Sequence, residues 1–421
     1  MKKEEKTGME TESFFPGHGK QKTLNSRVSF RSRLSRCAAM CCIVTAGIAF
    51  VQPAGARSLD GELTFLLENG CAELGNAGGS PASRGELAAL CSGGGGPGTS
   101  TGGGAGITQA TPGVVQERLL AARGEEEVSE TGTATELMPG FSAFFSGEYE
   151  SLDRDVTNFE DGFDSDITRF TAGADFQFTD KILAGLALTY SNHEGDFTGG
   201  GDFDNDSYGF TVFASFLPLE QVFVQATAGY AAKDYDRTRI AFFEMGATAG
   251  PGPAKGDYDG DEFSAGIQAG YDYTIGNITI GPRLGFDVVN TDFDSYSETG
   301  STGLELVFHE ADQTSLQSRL GVTGTVALST SFGVVLPQIS VNWVHEFDDD
   351  QRTEDFSFVQ DTNAISFQYQ DEEPDRDFFE LAVGVASVLP NGWMPFVEFR
   401  ALVGHDYLDS YAGSLGFRVE F

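Results

Sequence analysis

From Phe141 to Phe421 the chain repeats one pattern many times: bulky apolar residues at every second position, with small or polar residues between them. A strand has a side-chain period of two, so each such run reads as a strand with one greasy face. In Tyr208–Phe216 that face is Tyr208, Phe210, Val212, Ala214 and Phe216; in Val222–Tyr230 it is Val222, Val224, Ala226, Ala228 and Tyr230. In Phe263–Tyr271 it is Phe263, Ala265, Ile267, Ala269 and Tyr271, while the opposite face offers only Ser264, Gly266, Gln268 and Gly270. A soluble sandwich fills the space between its sheets with bulk, which such a face cannot supply. A transmembrane barrel needs this arrangement: apolar residues toward lipid, aromatic girdles at both interfaces, and a small or polar lining around a wet lumen.

The segments 141–150, 166–178, 182–194, 206–216, 221–233, 261–274, 278–292, 313–328, 333–347, 376–389, 393–405 and 410–421 make about twelve strands. An even number returns both ends of the barrel to one side. Short turns at Thr179-Asp180-Lys181, Leu217–Glu220, Gly276-Asn277, Thr330-Ser331 and Pro390-Asn391-Gly392 alternate with longer connections, as periplasmic turns alternate with external loops. The fold class expected is therefore all-β, a transmembrane antiparallel barrel over residues 140–421. If the greasy faces point to lipid, parity sends Arg169, Asp175, Arg283, Arg319, Glu346, Glu380, Glu398, Arg400, Arg418 and Glu420 to the lumen. An Arg or Lys facing hydrocarbon near the midplane costs about 2–4 kcal/mol, which favours that assignment.

The regions before the barrel differ in kind. No apolar run reaches the roughly 18–20 residues of a spanning helix. Cys37–Val51 instead follows Arg27, Arg31, Arg33 and Arg36 and precedes Ala54-Gly55-Ala56, the order of a secretory signal over residues 1–56. Residues 57–139 form a short passenger or linker with a Gly-rich tether at 93–104, too low in complexity to bury a core. Within it Val114–Ala122 has a helical pattern with Glu117 and Arg118 beside Leu119 and Leu120, suited to a surface helix or to a polar lumen. Outside the cytoplasm Cys71 and Cys91 would tend to close a disulfide, the alternative being two free thiols.

Asp and Glu outnumber Lys and Arg 63 to 26, and after Arg57 the only lysines are Lys181, Lys233 and Lys255. That excludes nucleic acid as a partner, since phosphate binding needs a basic stripe. The histidines of the mature chain, His193, His309, His345 and His405, lie on separate segments, with no Gly-x-Ser-x-Gly and no His-Glu-x-x-His. No enzyme, cofactor or metal site is expected; His405-Asp406 is the one pair that could support a hydrolase at the external loops. The acidic stretches Asp196–Asp206 and Asp257–Glu262 complete no EF-hand and read as solvated external loops.

The final strand places Tyr411, Leu415, Phe417, Val419 and Phe421 on one face and Ala412, Ser414, Gly416, Arg418 and Glu420 on the other. Its terminal Phe421 resembles the sorting signal of Gram-negative outer-membrane barrels. The stretches Gly256-Asp257-Tyr258-Asp259-Gly260-Asp261, Ala269-Gly270-Tyr271, Gly281-Pro282, Ser297-Glu298-Thr299-Gly300, Trp343-Val344-His345-Glu346-Phe347 and Leu415-Gly416-Phe417-Arg418-Val419-Glu420-Phe421 together resemble the β-domain of the autotransporters. The resemblance implies a monomeric twelve-stranded barrel in the outer membrane, in contact with lipid and lipopolysaccharide and inserted by the barrel-assembly machinery. It also implies type V secretion of an N-terminal passenger with a helix left in the pore, for which Val114–Ala122 is the candidate. Members of that family usually carry hundreds of passenger residues, and this chain has about eighty. A plugged structural or pore barrel without export is the alternative.

Overall fold

The structure is a computed structural model, and it describes residues 140–157, 160–241, 252–301, 303–348, 352–361, 366–370, 372–390 and 392–421. The expected signal over 1–56, the Gly-rich stretch 93–104, the expected helix Val114–Ala122 with Glu117 and Arg118, and Cys71 and Cys91 lie outside the described residues.

The strands in chain order are β1 (Phe141–Arg154), β2 (Phe163–Thr179), β3 (Ile182–Phe197), β4 (Gly201–Leu219), β5 (Val222–Ala241), β6 (Gly252–Tyr271), β7 (Tyr273–Ile275), β8 (Ile278–Phe293) and β9 (Tyr296–Ser297). They continue as β10 (Leu306–Phe308), β11 (Ala311–Val326), β12 (Leu328–Thr330), β13 (Gly333–Glu346), β14 (Thr353–Phe358), β15 (Phe367–Gln370), β16 (Asp377–Val388), β17 (Trp393–Val403) and β18 (Leu408–Glu420). Twelve of them close into one antiparallel barrel, with β7 and β12 as short continuations of β6 and β11. Closure runs through β1 and β18, where Phe145 pairs with Phe417 and the Phe421 amide donates to the Phe141 carbonyl at 3.1 Å. Every interior ladder is thereby paired, as backbone in hydrocarbon requires.

Alternation sorts the side chains by face. Leu186, Leu188, Val212, Ile267, Leu284, Val341, Val383 and Val397 are exposed on the outer wall. Tyr149, Tyr208, Tyr230 and Tyr411 ring one end of it, and Phe176, Phe178, Tyr271, Tyr273 and Trp393 the other, the two girdles expected at the bilayer interfaces. The inner face is not small and polar throughout, contrary to expectation. Near the periplasmic end Phe144, Leu183, Ala187 and Phe213 form an inward apolar cluster against Phe396, and Leu336, Ala386, Val388 and Met394 form another. Gly173 and Gly185 make room for it: a Cβ at either would collide with the ring of Phe144 or Phe213.

Two readings of the loops need correction. Asp196–Asp206 and Asp257–Glu262 lie largely within β3, β4 and β6, which run past the outer girdle. There the inward partners of the exposed aspartates are Phe203, Asn205 and Tyr258, so the two-residue period continues after the apolar residues have moved to the inner face. The second correction is a separate four-stranded sheet, in the order β15-β14-β10-β9, built from the two longest outer connections.

Candidate functional site: the lumen and its outer mouth

The parity rule that places apolar residues outside puts charge inside, and the barrel register then decides which charges meet. Glu148 of β1 accepts from Arg169 of β2 and from Arg400 of β17, on either side of the seam strand. Arg400 also lies 3.8 Å from Glu398, which accepts from Gln338 at 3.4 Å. Arg319 bridges Asp287 at 2.5 Å and Glu380 at 3.4 Å. Arg283 donates to Asp272 at 2.6 Å and lies over the ring of Phe223. Arg418 donates to Ser142 at 2.6 Å and to Glu420 at 2.8 Å, tying the seam from within. Glu346 accepts from the Ser315 hydroxyl at 2.6 Å and the Leu316 amide at 2.8 Å. Asp175 is buried on the same inner face as Arg169.

All ten charged residues expected at the lumen thus sit on the inner face, and most are joined to one another or to inward polar groups. Sequence reading omitted three of their partners, Glu148, Asp272 and Asp287, and the inward pair of Lys233 and Glu262. Lys233 and Glu262, both fully buried, pair at 2.6 Å. Each of these except Asp272, which stands at the break between β6 and β7, has inward parity in its strand, so the same rule would have found them.

Above the membrane the inner wall carries an aromatic stack. Tyr235 and Tyr258 lie 4.8 Å apart, Tyr258 and Tyr296 4.3 Å, and Tyr296 and Phe308 4.7 Å, all stacked. Beside it Arg239 holds Glu298 through two bonds of 3.0 and 2.6 Å. Together they fasten the loop sheet to the extended β5–β6 wall. The mouth holds a cavity of about 140 Å³ bordered by Arg154, Glu160, Arg352, Asp375, His405 and Tyr407. His405 does not pair with its neighbour Asp406; its Nδ1 lies 3.8 Å from Asp375, whose carboxylate accepts the Asp406 amide at 2.7 Å. Burial holds His405 below the usual imidazole value, partly offset by Asp375, and burial pushes Tyr407 up to about 12. The mouth therefore offers paired charges and an imidazole to which no nucleophile among the described residues is bonded.

The assembly residues lie as the last strand predicts. Tyr411, Leu415, Phe417 and Phe421 are exposed on the outer wall, with Val419 on the same face. Phe421 packs on Phe141 with ring centroids 5.9 Å apart, and Phe417 on Trp393 at 5.4 Å.

Comparison with known proteins bears on this geometry. The family model described as the autotransporter beta-domain matches residues 143–400. Outer membrane protein A of Rickettsia conorii is 23% identical over 293 residues, covering 67% of this chain and 14% of its own length. The chain thus spans about a seventh of that relative. Among solved structures, the translocator domain of the autotransporter NalP from Neisseria meningitidis aligns over 75% of this chain and 98% of its own, at 15% identity and a TM-score of 0.51. The β-domain of the Bordetella autotransporter Brka aligns over 67% of this chain and all of its own, at 15% identity and a TM-score of 0.52. These two likenesses concern the fold.

Proposed function

The chain belongs to the autotransporter β-domain family and forms a Gram-negative outer-membrane barrel of the translocator type; from that premise we propose that it anchors residues 57–139 and exports them through its pore. One observation carries the reading. Arg169 Nε, His193 Nδ1, Ser207 Oγ, Gln225 Nε2 and Gln268 Oε1 are buried on the inner wall and bond to no described residue. Buried polar atoms are rarely left without a partner, and a polar segment threaded through the barrel supplies donors and acceptors at that place.

The segment that precedes β1 is the natural occupant. Strand β1 starts at the periplasmic end, so residues 57–139 reach the lumen without crossing the wall, and Val114–Ala122 offers Glu117 and Arg118 to a lining of both signs. The barrel-assembly machinery would insert the domain, with Phe421 and its outward row Tyr411, Leu415, Phe417 and Val419 as the signal it reads.

Planar-bilayer conductance of the full chain and of a variant lacking residues 58–139 tests the proposal. A several-fold rise on deletion, together with a crosslink between Gln116→Cys and an inward position such as Gln268→Cys, supports an occupied pore. Unchanged conductance with no crosslink from any inward partner refutes it. Surface proteolysis of residues 57–139 on intact cells then separates export from a plugged barrel that keeps its segment inside.

A further inference from the structure

Three strands of the outer wall bring together residues that the chain keeps well apart. Ser318 of β11 stands directly opposite His345 of β13, and His345 directly opposite Asp377 of β16. Alternation turns all three outward, in phase with exposed Leu316 and Leu320 on β11, Trp343 and Phe347 beside His345, and Phe379 on β16. The His345 Nδ1 lies 2.9 Å from Asp377 Oδ1, and the Trp343 indole N–H donates to the same oxygen at 3.0 Å. Trp343 and Phe379 face each other across the ladder, which sets this row at the outer aromatic girdle.

We propose that Ser318, His345 and Asp377 form an acyl-transfer site on the lipid-facing wall, with the long-chain carboxylic esters of the outer leaflet as substrate. Directly opposed residues hold their Cβ atoms about 4.5–5.5 Å apart, a gap that an imidazole ring and a serine hydroxyl span by rotamer choice. The Asp377 carboxylate fixes the proton on Nδ1 and leaves the Nε2 lone pair as the base, the division of roles in a serine–histidine–aspartate relay. The His345 side chain is 24% exposed, open to a lipid yet flanked by apolar residues. Lipid ester carbonyls lie at this depth, between hydrocarbon and headgroup.

The chemistry balances without a co-reactant other than water. Ser318 Oγ attacks the acyl carbonyl carbon as its proton passes to His345 Nε2. The ester C–O bond then breaks, and His345 returns that proton to the departing alkoxide, leaving an acyl-serine. Water attacks the acyl-serine, gives its proton to His345, and releases the fatty acid as Ser318 regains a proton. The ladders of β11, β13 and β16 commit their backbone N–H groups, so no preformed backbone cradle meets the oxyanion among the described residues. A single oxyanion donor is worth about 10²–10³ in rate, so turnover should be slow and covalent labelling the more sensitive readout.

The test uses the full chain folded into vesicles of phosphatidylethanolamine or of lipopolysaccharide, with a fluorophosphonate probe. The expected result is labelling at Ser318, lost in Ser318→Ala and reduced at least ten-fold in His345→Asn and Asp377→Asn. Each of these variants should remain heat-modifiable, which shows a folded barrel. Fatty acid released in the phosphatidylethanolamine arm identifies a phospholipid ester, and release in the other arm an acyl ester of lipopolysaccharide. Labelling of the folded protein no greater than that of Ser318→Ala overturns the site. Labelling with no fatty acid released in either arm overturns the substrate class.

Discussion

Glu148→Gln is the sharpest test of the lumen wiring, because one carboxylate there serves two guanidiniums. Its side chain is 8% exposed and that of Arg169 2%, while Arg400 keeps 22%. Glutamine preserves shape and one acceptor oxygen, so the change removes charge and little packing. Breaking a buried pair by removing one partner costs about 3–5 kcal/mol, because the remaining charge stays desolvated. Two guanidiniums lose their partner here, yet Arg400 reaches water and keeps Glu398 at 3.8 Å, which moves the expected loss to the lower end, about 3 kcal/mol. Urea unfolding of the barrel in lipid vesicles, followed by tryptophan emission and by electrophoretic mobility, measures it. In the double variant Glu148→Gln/Arg400→Gln part of the loss should return, since one uncompensated charge is gone. A loss below about 0.5 kcal/mol, the level of an exposed pair, would mean that the lumen solvates these groups as bulk water does.

Other outcomes follow from the same geometry. Unboiled protein should migrate differently from boiled protein in detergent, because a closed ladder resists detergent until heated; identical mobility contradicts closure. Phe421→Ser should lower the yield of assembled barrel in the outer membrane, since it removes the terminal aromatic and its packing on Phe141; a normal surface yield refutes the signal role. Leu186→Arg, on the exposed apolar wall, should cost about 2–4 kcal/mol in vesicle unfolding, and a neutral effect there would place lipid on the wrong face. Asp234 lies in the extension of β5 beyond Tyr230, where burial and the facing Asp259 raise it to about 6. An acid raised on folding binds more protons folded than unfolded, so its contribution to stability falls as pH rises through 6. Asp234→Asn should therefore stabilise at pH 7.5 by under about 1 kcal/mol after solvent screening and give no gain at pH 3, below the ordinary carboxylate value of 3.8; equal gains at both values refute the linkage.

The barrel was legible because its signal is local. Whether Leu186 and Leu188 face lipid is settled by their spacing, and the same spacing sends Arg169 and Arg400 inward before any partner is known. Which charges meet is not local. Glu148 receives Arg400 through the seam, a contact set by how β18 closes on β1 and by its register with β17. The inward rings of Phe144 and Phe213 escaped notice because a phenylalanine suits either face, and their licence lies in Gly173 and Gly185 on neighbouring strands. The three residues of β10 carry too little pattern to predict a strand; tertiary contact with Tyr296 and Phe356 makes one. The acidic ends of β3 to β6 looked like loops for a physical reason, since like charges facing each other across a ladder oppose pairing. Asp204 opposes Asp236, and Asp236 opposes Asp257. The inner face of the same extension offsets that cost with Tyr235 stacked on Tyr258 and with Arg239 held by Glu298.

The two faces also set what each can do. Inside, carboxylates and guanidiniums are joined to one another, so the wall offers many hydrogen-bonding groups of both signs. Such a lining retains a segment through local pairing and not through overall charge, and a segment carrying both Glu117 and Arg118 meets partners at many depths. Outside, an ionisable group has no such company unless the register supplies it. The row of Ser318, His345 and Asp377 is such a case: Asp377 gives His345 a partner beside Trp343, Phe347 and Phe379, and a single strand slip would disperse the three. A one-residue slip turns every side chain of a strand to the other face, so the outer row depends on one ladder alignment. Shifting that alignment by inserting one residue into β13 should abolish probe labelling at Ser318 in a barrel that still closes.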